Sequence, residues 1–64
     1  MEIFAFYFWF DHQSPARQVQ AQNEDACILL AKTVTGGLPV DGMCVNEMTG
    51  KVFWFTKGKQ VERF

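Results

Sequence analysis

The chain has 64 residues, a formal net charge of −1 and 16% aromatic residues. This length predicts a single domain, and the near-neutral charge excludes a strongly basic nucleic-acid binder or a strongly acidic mimic of nucleic acid. Two cysteines are fewer than the roughly four to eight of secreted disulfide-rich mini-domains. We therefore expect residues 1–64 to form one cytoplasmic α+β domain in which Cys27 and Cys44 are free, buried and structurally inert thiols.

An apolar run, Ile3–Phe10, opens the chain after Glu2. A signal peptide has a basic segment before its apolar run and small residues at its cleavage site, whereas here Glu2 is acidic and Asp11 follows directly. A membrane-spanning helix needs about 20 apolar residues. We interpret Glu2–Asp11 as a buried strand and expect no contact with a membrane.

The second predicted element is a half-buried strand. After the loop 12–15, Ala16–Gln22 alternates between Arg17, Val19 and Ala21 on one face and three glutamines on the other. Alternation of this kind is typical of a strand with one polar face. The first two strands should form a hairpin.

A helix is predicted next. Asn23 is a favourable N-cap, and Glu24 and Asp25 would place negative charge in the first turn. Ala26–Val34 has apolar residues at helical spacing, and Gly36-Gly37 predicts its end.

After the helix, the sequence predicts two strands, Met43–Met48 and Lys51–Thr56, joined by a turn at Thr49-Gly50. A second turn at Lys57-Gly58 precedes a short strand over Lys59–Phe64. The predicted order of elements is β-β-α-β-β, followed by a fifth strand if the last segment is extended. This order predicts an antiparallel sheet of four or five strands with one helix on one face. The expected core residues are Phe4, Phe6, Phe8, Val19, Ala21, Ala26, Leu30, Val34, Val45 and either Phe53 or Trp54.

Catalytic residue patterns are sparse. The single histidine, His12, lies in a predicted loop, and two cysteines with one histidine are too few for a closed zinc site. The glycines fit no phosphate-binding motif. We therefore expect no enzyme activity, metal or cofactor.

The aromatic residues point to a binding surface instead. Phenylalanines line one face of the first strand, while Tyr7 and Trp9 lie on the other; Trp54 repeats this pattern in the fourth strand. One helix can cover only one face, so the other face, with Tyr7, Trp9 and Trp54 or with their phenylalanine counterparts, should be open to solvent or to a partner. The predicted binding residues are Tyr7, Trp9 and Trp54 as anchors, with Lys51, Lys57, Lys59 and Arg63 at the rim.

Several identities remain open for that partner. A protein or ribonucleoprotein target is favoured, and a homodimer would bury the same face. A single-stranded nucleic acid could stack on the rings and contact the lysines. A strongly coiled sheet that buries both faces would remove the need for a partner.

The segment 19–23, followed at once by the helix Glu24–Val34 and the hairpin Met43–Thr56, resembles the layout of some small bacteriophage anti-CRISPR proteins. The resemblance covers most of the chain as element order and length. It implies a phage-encoded inhibitor that acts in the bacterial cytoplasm by blocking a nucleic-acid-binding surface of a Cas effector complex. The dense acidic surface of nucleic-acid mimics is missing here, so steric blocking is expected.

Overall fold

A computed structural model describes residues 3–11 and 13–62 as five strands and one helix. Residues 1, 2, 12, 63 and 64, and with them the predictions for His12 and Arg63, lie outside the described residues. The predicted α+β class is confirmed, including the fifth strand. The elements are β1 Phe4–Trp9, β2 Arg17–Ala21, α1 Glu24–Gly37, β3 Asp41–Asn46, β4 Val52–Thr56 and β5 Lys59–Val61.

The sheet has the strand order β2-β1-β3-β4-β5, and all neighbouring strands are antiparallel. The predicted hairpins β1–β2 and β3–β4 are both present. Since β2 and β3 each run antiparallel to β1, they are parallel to one another, and α1 connects them across β1. This crossover places the helix over one face of the central strands.

The start of α1 has a physical cause, and its end differs from the prediction. The Asn23 side chain accepts a hydrogen bond from the Ala26 N–H at 2.8 Å, as its predicted role as N-cap requires. The helix continues past its predicted end to Gly37. Gly36 lies inside the helix and does not stop it, and a Cβ added there would be in van der Waals contact with the Gly58 Cα of the β4–β5 turn, at 3.4 Å.

The β4–β5 turn occupies Lys57 and Gly58, as predicted. Both residues have positive φ, 53° and 77°. Positive φ at both central positions defines the type I′ turn, which matches the twist of two-residue hairpins. Its glycine packs against the last turn of α1.

The core lies between α1 and the sheet. The Phe6 ring is fully buried and stacks on Phe8 with 5.4 Å between centroids. Gly42 lies beneath the Phe6 ring, where a larger residue would collide with it. The buried cluster consists of Phe4, Phe6, Cys27, Ala31, Cys44 and Phe55, with Phe8, Ala21, Ile28, Leu30, Val34 and Phe53 packed against it.

Three predicted core residues lie elsewhere. Val19 is 40% exposed because β2 is an edge strand, and Ala26 is exposed in the first helical turn. Val45 is half-buried on the sheet face opposite α1. The third strand also begins earlier than predicted, at Asp41, because residues 41 and 42 pair with the end of β1.

The expectation of two free thiols was wrong. Cys27 of α1 and Cys44 of β3 form a disulfide, with their Cα atoms 6.0 Å apart, and the described residues include no free cysteine. Both residues were expected to be buried, and both are fully buried. The crossover brings the inner stripe of α1 onto β3, so the two buried positions meet.

Candidate functional site: the open sheet face

The sheet face opposite α1 is the candidate site, and we call it the open face. None of its side chains joins the buried cluster between helix and sheet. Among the described residues, no helix or strand covers it. The alternation of side chains places on it Ala5, Tyr7 and Trp9 of β1, Asp41, Met43 and Val45 of β3, Val52, Trp54 and Thr56 of β4, Gln18 and Gln20 of β2, and Lys59 and Val61 of β5.

The strand register arranges the centre of the open face in rows. Tyr7 pairs with Met43, which pairs with Trp54. Trp9 pairs with Asp41, which pairs with Thr56 in the adjacent row. Strands lie about 4.8 Å apart, so the Tyr7 and Trp54 backbones are separated by roughly 10 Å. The fold therefore brings the three predicted aromatic anchors together around β3, where each is half-buried.

Tyr7 is held by a hydrogen bond at its far end. Its hydroxyl donates to the Glu47 carboxylate at 2.8 Å, and the Glu47 N–H donates to the Ile3 carbonyl. The side chains of Tyr7 and Glu47 therefore meet across the position of Ala5. Ala5 lies on the open face but is only 1% exposed. The hydrogen bond to Glu47 raises the pKa of Tyr7, with burial and the carboxylate charge contributing in the same direction.

A carboxylate lies at the polar edge of this aromatic patch. The Thr56 hydroxyl donates to Asp41 Oδ1 at 2.6 Å, and Trp9 is the neighbour of Asp41 on the other side. Sequence reasoning missed Asp41 as a site residue because it assigned residues 38–42 to a connection. The available signal was the alternation of Asp41, Met43 and Val45, which places all three on one face of a strand.

The predicted basic rim does not form one surface. Lys59 lies on the open face, next to Thr56. Lys57 lies in the β4–β5 turn, and the Lys51 ammonium lies over the Phe53 ring on the helix side, 5.1 Å from its centroid. Only Lys59 of these three therefore belongs to the aromatic patch.

The described residues contain no group of three or more histidine, cysteine or acidic side chains that could hold a metal ion. The one described helix, α1, lacks the length and apolar character needed to cross a membrane. The site that remains is a half-buried aromatic sheet face with a carboxylate oriented by a threonine. Comparison of the chain with protein-family models, curated proteins and solved structures finds no match.

Proposed function

We propose that this protein is a non-catalytic binding protein whose open face docks on a protein or ribonucleoprotein target. The observation that carries the proposal is the grouping of Tyr7, Trp9 and Trp54 on a sheet face that α1 leaves uncovered. Tryptophan and tyrosine are enriched among the residues that dominate binding energy at interfaces. An uncovered aromatic patch on a small domain marks an interaction surface.

The placement of the patch on strands also supports docking. Its residues project from β1, β3 and β4, the central part of a five-stranded sheet, rather than from loops. The Tyr7–Glu47 and Asp41–Thr56 hydrogen bonds hold two of its side chains in place. Side chains fixed before binding lose less conformational entropy when a partner arrives.

The first target to test is a bacterial Cas effector complex, on the strength of the layout resemblance. In this version of the proposal, the protein is a phage-encoded inhibitor that blocks the effector sterically. It would act in a cytoplasm that keeps most thiols reduced. In such a cell, the Cys27–Cys44 disulfide would be exposed to reduction.

The experiment is an affinity pull-down from a bacterial lysate that contains CRISPR effectors, read by quantitative mass spectrometry. The double variant Trp9→Ala, Trp54→Ala removes two anchors. Leu29→Ala is the matched control, because Leu29 is a large apolar side chain, 69% exposed, on the helix. We expect wild type and the control to retain the same target, and the double variant to lose it, since removing an anchor costs about 2 kcal/mol or more of binding.

Two other results would redirect the proposal. A stable dimer in sedimentation that dissociates only in the double variant would identify the open face as a homodimer interface. Salt-sensitive binding of a labelled single-stranded oligonucleotide, lost in the double variant, would identify a nucleic-acid surface.

A further inference from the structure

Asp41 lies at one end of β3 on the open face, beside the aromatic residues. It lies between Trp9 and Thr56 in its own row, and Tyr7 and Trp54 flank it diagonally from the neighbouring row. Diagonal neighbours in a sheet are about 7–8 Å apart, within reach of aromatic side chains. A half-buried carboxylate thus stands among three aromatic side chains.

The Asp41 carboxylate has one side-chain hydrogen bond among the described residues. The Thr56 hydroxyl donates to Oδ1 at 2.6 Å. A carboxylate has about four acceptor positions, so this hydrogen bond leaves acceptor capacity. A charged acceptor beside aromatic rings is complementary to a donor that carries positive charge.

The charges of the open face are unevenly distributed. Glu47, bonded to Tyr7, adds a second carboxylate on the side of β1 and β3. Lys59 lies on β5, two strands away from Asp41, or roughly 10 Å. Among the described residues, Tyr7 and Trp9 therefore lie on the side of the face that carries the two carboxylates and is complementary to a cation, whereas Trp54 lies toward Lys59.

From this arrangement we propose that the open face recognises an arginine side chain of its polypeptide partner, with the guanidinium bound by Asp41 and stacked on Trp9. Guanidinium is planar, donates two parallel hydrogen bonds to a carboxylate and stacks on aromatic rings, whereas a lysine ammonium acts as a point charge. The inference rests on the proposed function and specifies the chemistry of the partner.

Tryptophan fluorescence reports on this face directly, because the chain contains two tryptophans and both lie on it. The probe is a short capped peptide with a central arginine, titrated into the 64-residue protein. Matched peptides carry lysine, glutamine or glutamate at the same position. We expect saturable binding of the arginine peptide with a Kd of about 1 mM or tighter, weaker binding of the lysine peptide, and none of the others.

Two variants assign the effect to Asp41. Asp41→Asn removes the charge but keeps an oxygen for the Thr56 hydroxyl, and it should weaken arginine-peptide binding about tenfold or more. Glu62→Gln makes the same charge change at an exposed residue after β5 and should leave binding within about twofold. Matching unfolding curves for the two variants confirm that the fold is retained.

Equal responses to the arginine and glutamine peptides, or wild-type affinity in Asp41→Asn, would overturn the inference. If the pull-down still captures a target through Trp9 and Trp54 in that case, the proposed function stands and only the arginine assignment fails. If neither the peptide nor any target depends on the two tryptophans, the open face is not a binding surface.

Discussion

Cys27 in α1 is bonded to Cys44 in β3, so a covalent link joins the helix to the middle of the sheet at the centre of the core. The two residues are 17 positions apart in sequence. Closing a loop of this size in the unfolded chain reduces its conformational entropy. The disulfide therefore stabilises the fold in addition to the packing of the two layers.

Reducing this disulfide should lower the free energy of unfolding by about 3 kcal/mol. The measurement is denaturant unfolding with and without a thiol reductant, with thiol titration to establish the redox state. The double variant Cys27→Ala, Cys44→Ala serves as control and should not respond to the reductant. An unchanged midpoint in fully reduced wild type would show that the link contributes nothing to stability.

Gly42 should not accept a side chain. A Cβ at this position would lie 2.5 Å from Cε1 of the buried Phe6 ring and 3.0 Å from the Tyr7 carbonyl oxygen. Phe6 is stacked on Phe8 and cannot move freely, so Gly42→Ala should destabilise the protein by about 1–3 kcal/mol.

Gly37→Ala is the matched control, because nothing lies within 4 Å of its added Cβ at the end of α1. There alanine should be neutral or stabilise the helix by up to about 1 kcal/mol. Thermal unfolding measures the stability of Gly42→Ala and Gly37→Ala. Equal stabilities would contradict the close packing of Phe6 on β3.

The Thr35 hydroxyl connects α1 to the β4–β5 turn. It donates to the Ala31 carbonyl at 2.7 Å and accepts from the Gly58 N–H at 3.1 Å. Thr35→Val keeps the shape but removes both hydrogen bonds, and we expect a loss of about 1–2 kcal/mol in unfolding experiments.

Thr33→Val makes the same change on the exposed side of the helix, where the hydroxyl donates to the Leu29 carbonyl. Its effect should stay within about 0.5 kcal/mol. A Thr35 variant as stable as the Thr33 variant would mean that the turn docks without this hydrogen bond.

Tyr7 should titrate above its ordinary pKa of about 10, because its hydroxyl donates to Glu47. The folded state favours the neutral hydroxyl of Tyr7. The stability that its hydrogen bond to Glu47 contributes is therefore complete below about pH 10 and is lost as the pH rises through the pKa of Tyr7 in the folded state. Tyr7 is the single tyrosine, and its ultraviolet titration is therefore unambiguous.

In Glu47→Ala, the pKa of Tyr7 should return toward its ordinary value, whereas Glu62→Ala should leave the titration unchanged. Identical titration curves for wild type and Glu47→Ala would show that the hydrogen bond does not form in solution.

The sequence was sufficient for the order of the elements and for the existence of the aromatic face. Alternation in β1 and β4 separates Trp9 and Trp54 from the phenylalanines, and a single helix can cover only one side. The disulfide could not be predicted from these sequence patterns, since the distance between Cys27 and Cys44 depends on how α1 crosses the sheet. The position of Asp41 beside Trp9 was missed for a related reason, because strand register links residues that are far apart in the chain.

The basic rim was the least predictable part of the site. Lys51, Lys57 and Lys59 are close in sequence, but alternation and the type I′ turn direct them to different sides of the molecule. Proximity in sequence therefore did not establish a shared surface.

The central claim, that the open face binds the target, is tested most directly by methyl NMR of methionine-labelled protein mixed with the captured target. Met43 lies at the centre of the open face, whereas Met48 is exposed in the turn after β3 and serves as an internal control. The account predicts that the target shifts or broadens the Met43 methyl signal and leaves the Met48 signal unchanged. Perturbation of Met48 with an unaffected Met43 would contradict it.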